Sequence, residues 1–82
     1  MTGDLTPDST GDFLPHIVHN GKMSYVRGDS AYFIWWQPPA TWVISQALDW
    51  VIFNIWTRAD PDIQGDYVPL LGAAGDATVT EI

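Results

Sequence analysis

The 82-residue chain contains no cysteine, which removes disulfides, thiolate metal sites and thiol chemistry together. It is nearly as poor in cations: three Lys plus Arg stand against ten Asp plus Glu, a formal charge of −7. A field of that sign repels a phosphate backbone, so nucleic acid is not an expected partner. Nine of the ten acids are Asp scattered among Gly- and Pro-containing turns, which reads as a solvated loop surface rather than a mimic of nucleic acid. Long hydrophobic runs are missing too. Gln37, Pro38, Pro39, Ser45, Gln46 and Asp49 break up the apolar middle, well short of the roughly 20 residues of a spanning helix. The start, Met1-Thr2-Gly3-Asp4, has neither the basic region nor the apolar core of a signal peptide. The expectation is a chain made in the cytoplasm that neither enters nor crosses a membrane. At this length it forms one domain, and its stability must come from packing or from partners.

Catalytic patterns are absent as well. Ser9, Ser24, Ser30 and Ser45 have no nucleophile-elbow context. Gly72-Ala73-Ala74-Gly75 is followed by neither a Lys nor a helix start, as a phosphate cradle requires. His16 and His19 are three apart on an expected strand, which directs them to opposite faces and spoils a ligand pair. Asp60, Asp62 and Asp66 are oxygen donors at loop spacing, but Pro61 interrupts them and no Glu completes a calcium loop. Arg27-Gly28-Asp29-Ser30 spells a tripeptide that adhesion receptors read, although Gly and Asp are also ordinary turn residues. No catalytic residue, metal or cofactor is therefore expected, and the chain reads as a non-enzyme.

What is present is a motif that occurs twice, Gly11-Asp12-Phe13-Leu14-Pro15 and Gly65-Asp66-Tyr67-Val68-Pro69. Glycine permits a turn, the aromatic offers a side chain to a core, and proline withholds a ladder donor. Between the copies, Asn20-Gly21 is the preferred centre of a type I′ hairpin turn flanked by apolar strands. Further strands are expected over residues 31–36, 41–45, 50–56, 65–69 and 77–82. The fold class is all-β: a single small antiparallel β-sandwich or open barrel of about six to seven short strands. Residues 1–12 form an extended N-terminal tail, and residues 13–82 form a single β domain.

The expected fifth strand is unusual. Trp50, Ile52, Asn54 and Trp56 share one face and Val51, Phe53 and Ile55 the other, so both faces are apolar. A domain this small has little to cover a second face, and an uncovered patch of that kind marks a partner site. The expected interface residues are Leu5, as an anchor on the tail, with Trp35, Trp50, Phe53 and Trp56. The five Trp and three Tyr offer a rival reading, a sugar-stacking platform, which requires several rings exposed side by side.

The order Gly11, Phe13, Pro15, then Asn20-Gly21-Lys22 and Tyr25, then Tyr32, Ile34 and Trp36, then Trp42, Ile44, Ser45 and Leu48, then Gly65, Tyr67 and Pro69 resembles a small recurrent β module. That module is familiar from phage virion and tail-associated proteins, and as a repeat in larger proteins. The resemblance spans about residues 11–80. Phe13 stands where the module has Tyr, and residues 50–56 are more apolar than in such modules. The resemblance implies a virion structural protein, most simply a cement or decoration subunit that stabilises a phage head by bridging capsid subunits. Its partners would be the major capsid protein, other virion proteins or sister copies. The alternative it implies is a carbohydrate- or host-receptor-binding module of a tail or surface protein.

Overall fold

The computed structural model describes residues 1–3, 5, 9–38, 41–48, 51, 55–60 and 62–80. Its seven strands are β1 (Phe13–His19), β2 (Lys22–Arg27), β3 (Phe33–Gln37), β4 (Thr41–Ser45), β5 (Ile55–Arg58), β6 (Gly65–Leu70) and β7 (Ala77–Val79). They pair in chain order, each antiparallel to the next, as one curled half-barrel sheet. Alternation along the strands decides what each face buries. The concave face carries Tyr32, Ile34, Trp36, Trp42, Ile44, Trp56 and Tyr67, with Phe13 and Tyr25 packed against them.

Local chemistry sets the turns. Asn20 and Gly21 have φ of +55° and +85°, the I′ geometry their sequence favours, because its twist matches that of the flanking strands. The β6–β7 hairpin makes a similar turn with Leu71 and Gly72 at +55° and +96°, closed by the Ala73 N–H donating to the Leu70 carbonyl. A bulge interrupts the β1–β2 ladder between Pro15 and Val18. There the buried Ser24 hydroxyl donates to the Ile17 carbonyl at 2.7 Å and accepts the Ile17 N–H at 3.3 Å. Ser24 thus satisfies backbone groups that the extra residue removes from the ladder.

One expectation is corrected, and two others can be placed. The fifth strand is described over Ile55–Arg58, and Trp50, Ile52, Phe53 and Asn54 lie outside the described residues. The described part of the N-terminal tail lies along the sheet. Thr2 exchanges two 2.9 Å backbone hydrogen bonds with Thr78, Gly11 is paired to Met1, and Leu5 enters the core. Leu5 and Ser9 are buried, Met1 packs against the core, and backbone pairing to the existing strands satisfies peptide groups that such a composition could not bury alone. Finally, His16 and His19 do not diverge. Their rings contact Phe33 at 5.5 Å and Trp35 at 5.8 Å, both on the convex face, because the bulge adds one residue between them.

The two copies of the repeated motif adopt one conformation. Gly11 and Gly65 have φ of +126° and +131°, Phe13 and Tyr67 face the core, and Leu14 and Val68 face solvent. Each glycine is covered by an arginine from the neighbouring strand: the Arg27 side chain lies over Gly11 and the Arg58 guanidinium over Gly65. Each arginine in turn pairs with the aspartate two residues on, Asp29 and Asp60.

Candidate functional site

The expected interface residues are the first to place. Trp35 is 1% exposed and Trp56 fully buried. The Trp35 indole N–H donates to Ser45 Oγ, and that of Trp56 to the Gly75 carbonyl. Leu5 is buried in the same core cluster as Trp56. These three side chains hold the domain together and offer no surface to a partner. Trp50 and Phe53 lie outside the described residues. The premise behind the expectation also changes, since the convex face is not bare: Trp35, Val43 and Ile55 are buried there. After β4 the chain turns back, and the Ser45 hydroxyl donates to the Ala47 carbonyl beside Trp35.

Among the described residues the large exposed apolar side chains are aliphatic apart from Met23, and most of them lie on the two motif strands. β1 presents Leu14, 61% exposed, with Ile17 and Val18, and β6 presents Val68 and Leu70. Alternation carried the relevant signal: in each motif the residue after the aromatic must face away from the core. Leu71, in the turn beyond β6, is 53% exposed and sits at φ +55°, a conformation costly for a side chain of its type. The equivalent position in the β1–β2 turn is Asn20, a residue suited to it. Leu71 is thus an exposed apolar side chain at a backbone position that favours Asn or Gly.

A second feature is a cleft of about 490 Å³ between the first and last strands. Phe13, Leu14 and Pro15 of β1 form one wall, Val79 and Thr80 the other, and Tyr25 and Ile34 line its floor. Met1 and Ile63 complete the lining, whose side chains are apolar apart from Asp12, Tyr25 and Thr80.

Lys22, Arg27 and Arg58 are each engaged with the chain itself. Arg27 donates from Nε and Nη2 to both Asp29 carboxylate oxygens, at 2.8 and 2.7 Å. This fork holds the Asp29 carboxyl well below its ordinary value, at about 2. Arg27 also donates to the Thr10 carbonyl and stacks on the Tyr32 ring at 4.8 Å. The Arg-Gly-Asp tripeptide therefore neutralises itself across a turn, with its two charged ends joined. Arg58 donates to the Asp62 carbonyl, and Lys22 lies 4.9 Å from the Trp36 ring centroid. Burial pushes the Tyr67 phenol far up, and it donates to the Ile63 carbonyl. Asp60 and Asp62 accept backbone N–H groups in their own loop. Among the described residues no cluster of three or more potential metal ligands occurs.

Comparison with protein-family models, with curated proteins and with solved structures finds no match to this chain.

Proposed function

We propose that the chain is a non-enzymatic virion structural protein, a cement or decoration subunit that seats on a phage capsid and bridges its subunits. The observation that carries this reading is where the apolar surface lies. The described Trp side chains are buried, while Leu14, Ile17, Val18, Val68, Leu70 and Leu71 are exposed on β1, on β6 and in the turn after β6. Aliphatic surface without a polar constellation suits burial against another protein. The repeated motif and its resemblance to phage virion modules supply the identity of that protein, a capsid subunit or a sister copy. In this reading the acidic remainder of the surface faces outward and keeps the particle soluble.

A carbohydrate-binding role would need rings presented side by side. Trp35, Trp36, Trp42 and Trp56 are all buried, which favours the assembly reading over that one. The deciding experiment is the mass of the species the chain occupies when recovered from its native source. A megadalton particle carrying many copies is the expected result, and a free monomer would refute the proposal. Leu14→Lys and Val68→Lys, both at exposed positions, should release the chain from the particle while leaving its fold intact.

A further inference from the structure

The duplicated motif is part of a wider internal symmetry. Tyr25-Val26-Arg27-Gly28-Asp29 on β2 corresponds to Trp56-Thr57-Arg58-Ala59-Asp60 on β5, and Tyr32-Phe33-Ile34 to Trp42-Val43-Ile44. The registers agree: Pro15 faces Tyr25 and Tyr25 faces Ile34, as Pro69 faces Trp56 and Trp56 faces Ile44. A pseudo-twofold axis through the Ile34–Ile44 pair thus exchanges β1 with β6, β2 with β5, and β3 with β4. β7 is the exception. It pairs along the outer edge of β6, with Gly65, Asp66 and Tyr67 facing Val79, Thr78 and Ala77. Among the described residues the corresponding edge of β1 holds Met1 alone, whose backbone pairs with Gly11 as Val79 pairs with Gly65.

The rest of that strand position is the cleft. Its walls, Phe13 to Pro15 and Val79 to Thr80, lie one strand apart, since Met1–Thr2 occupies the same position at its closed end by bonding Gly11 on one side and Thr78 on the other. The edge of β1 is oriented to pair. Arg27 donates its N–H to Tyr32 on the far side of β2. Phe13, opposite Arg27, therefore exchanges no bond with β2, and its N–H and C=O face the cleft. Pro15, two residues on, brings no N–H to that edge and ends the pairing where Pro69 lies beyond the reach of β7.

We propose that this slot takes an extended segment of a partner polypeptide, added between β1 and β7 as an eighth strand that completes the barrel. Internal symmetry specifies the occupant. Inward positions take small or β-branched side chains, as Ala77 and Val79 do on β7. The outward position takes a hydroxyl, because Thr78 Oγ1 donates to Asp66 at 2.9 Å and Asp12 is the counterpart of Asp66. Flanking cations suit a chain of formal charge −7. Strand addition of this kind takes its affinity from main-chain bonds and its selectivity from alternate side chains. The inference rests on the assembly reading and specifies how the partner is held.

The test is titration of the full isotope-labelled chain with the peptide Lys-Lys-Thr-Ala-Thr-amide, whose last threonine lies opposite Asp12 and stops short of Met1, which already pairs with Gly11, followed by NMR. The expected result is saturable shifts confined to Asp12, Phe13, Leu14, Val79 and Thr80, with exchange of the Phe13 amide slowed about tenfold or more. N-methylation of the peptide's alanine, the residue placed opposite Phe13, should abolish binding. Asp12→Ala should weaken it by about tenfold, the scale of one charge-assisted hydrogen bond. No shifts at millimolar peptide, or shifts on Val68 and Leu70 instead, would overturn the proposal. A blank titration from a chain that does occupy a megadalton particle refutes the slot alone. Slot binding by a chain that is monomeric in its source refutes the virion reading alone.

Discussion

Substituting alanine at the two motif glycines should separate a backbone cost from a side-chain cost within one molecule. Gly11 and Gly65 share a φ near +130°, at +126° and +131°, a region that alanine enters at a cost of about 1–3 kcal/mol. The surroundings differ. A Cβ at Gly11 would sit 3.4 Å from Arg27 Cδ, an ordinary contact, whereas one at Gly65 would sit 2.5 Å from the Arg58 guanidinium carbon. Arg58 would have to move, breaking its 2.9 Å bond to the Asp62 carbonyl and its approach to Asp60. That charge-assisted bond, discounted for partial exposure, adds about 1 kcal/mol.

Gly11→Ala should therefore cost about 1–3 kcal/mol and Gly65→Ala about 2–4 kcal/mol. In a domain of this size each kcal/mol lowers the melting temperature by about 4–8 °C. Calorimetry or urea titration of the two variants reads the difference directly. A cycle with Arg58→Ala isolates its source, because Gly65→Ala should cost about 1 kcal/mol less once the guanidinium is gone. Equal costs at the two glycines, or a Gly65→Ala penalty indifferent to Arg58, would refute the clasp as a structural element.

Ser24→Ala should lower stability by about 1–3 kcal/mol, the cost of a buried polar group left unmatched, and speed hydrogen exchange at Ile17 specifically; retained protection there would mean that the bulge does not depend on the hydroxyl. Leu71→Asn should raise stability by about 0.5–1.5 kcal/mol by relieving the left-handed conformation while weakening particle association, and a variant unchanged in both would remove Leu71 from the interface. Asp29, held near pH 2 by Arg27 against an ordinary 3.8, should titrate at about that lower value by NMR. Because the folded carboxyl is the stronger acid, its stabilisation is complete above about pH 4 and is lost as pH falls through about 2. A midpoint near 3.8 would mean that the fork is open in solution.

The parts of this fold that were legible in the sequence are those governed by short-range rules. Asn20-Gly21 specified its turn by backbone preference, and β-branched and Trp-rich content placed residues 41–45 on a strand with the observed bounds. What was not legible depended on register. The bulge that brings His16 and His19 to one face exists because Ser24 is opposite and can satisfy it, a relation that no local window contains. Burial of the Trp residues was misread for a similar reason. An apolar strand looks two-faced from its sequence alone, and what meets Trp35 on its convex face comes from elsewhere in the chain, the His19 ring at 5.8 Å and the Ser45 hydroxyl that accepts its indole N–H. The exposed aliphatics were passed over because aromatics dominate any reading by hydrophobicity, although the motif's own alternation pointed Leu14 and Val68 outward.

The internal symmetry turns these observations into a controlled comparison. Where two halves of one molecule solve the same folding problem, agreement between them reports what the fold needs and disagreement reports what it does not. Both halves keep the glycine, the aromatic facing the core, the proline and the Arg-x-Asp clasp, so these belong to the architecture, and two of the three cations are committed to it. Among the described residues the halves differ at the outer edge: β7 pairs along β6, whereas β1 has Met1 opposite Gly11 and no paired strand. That difference does not help the isolated domain, since it leaves the Phe13 peptide groups at an apolar cleft. It becomes favourable once a strand is supplied from outside, and that asymmetry is the physical argument for the strand addition proposed above.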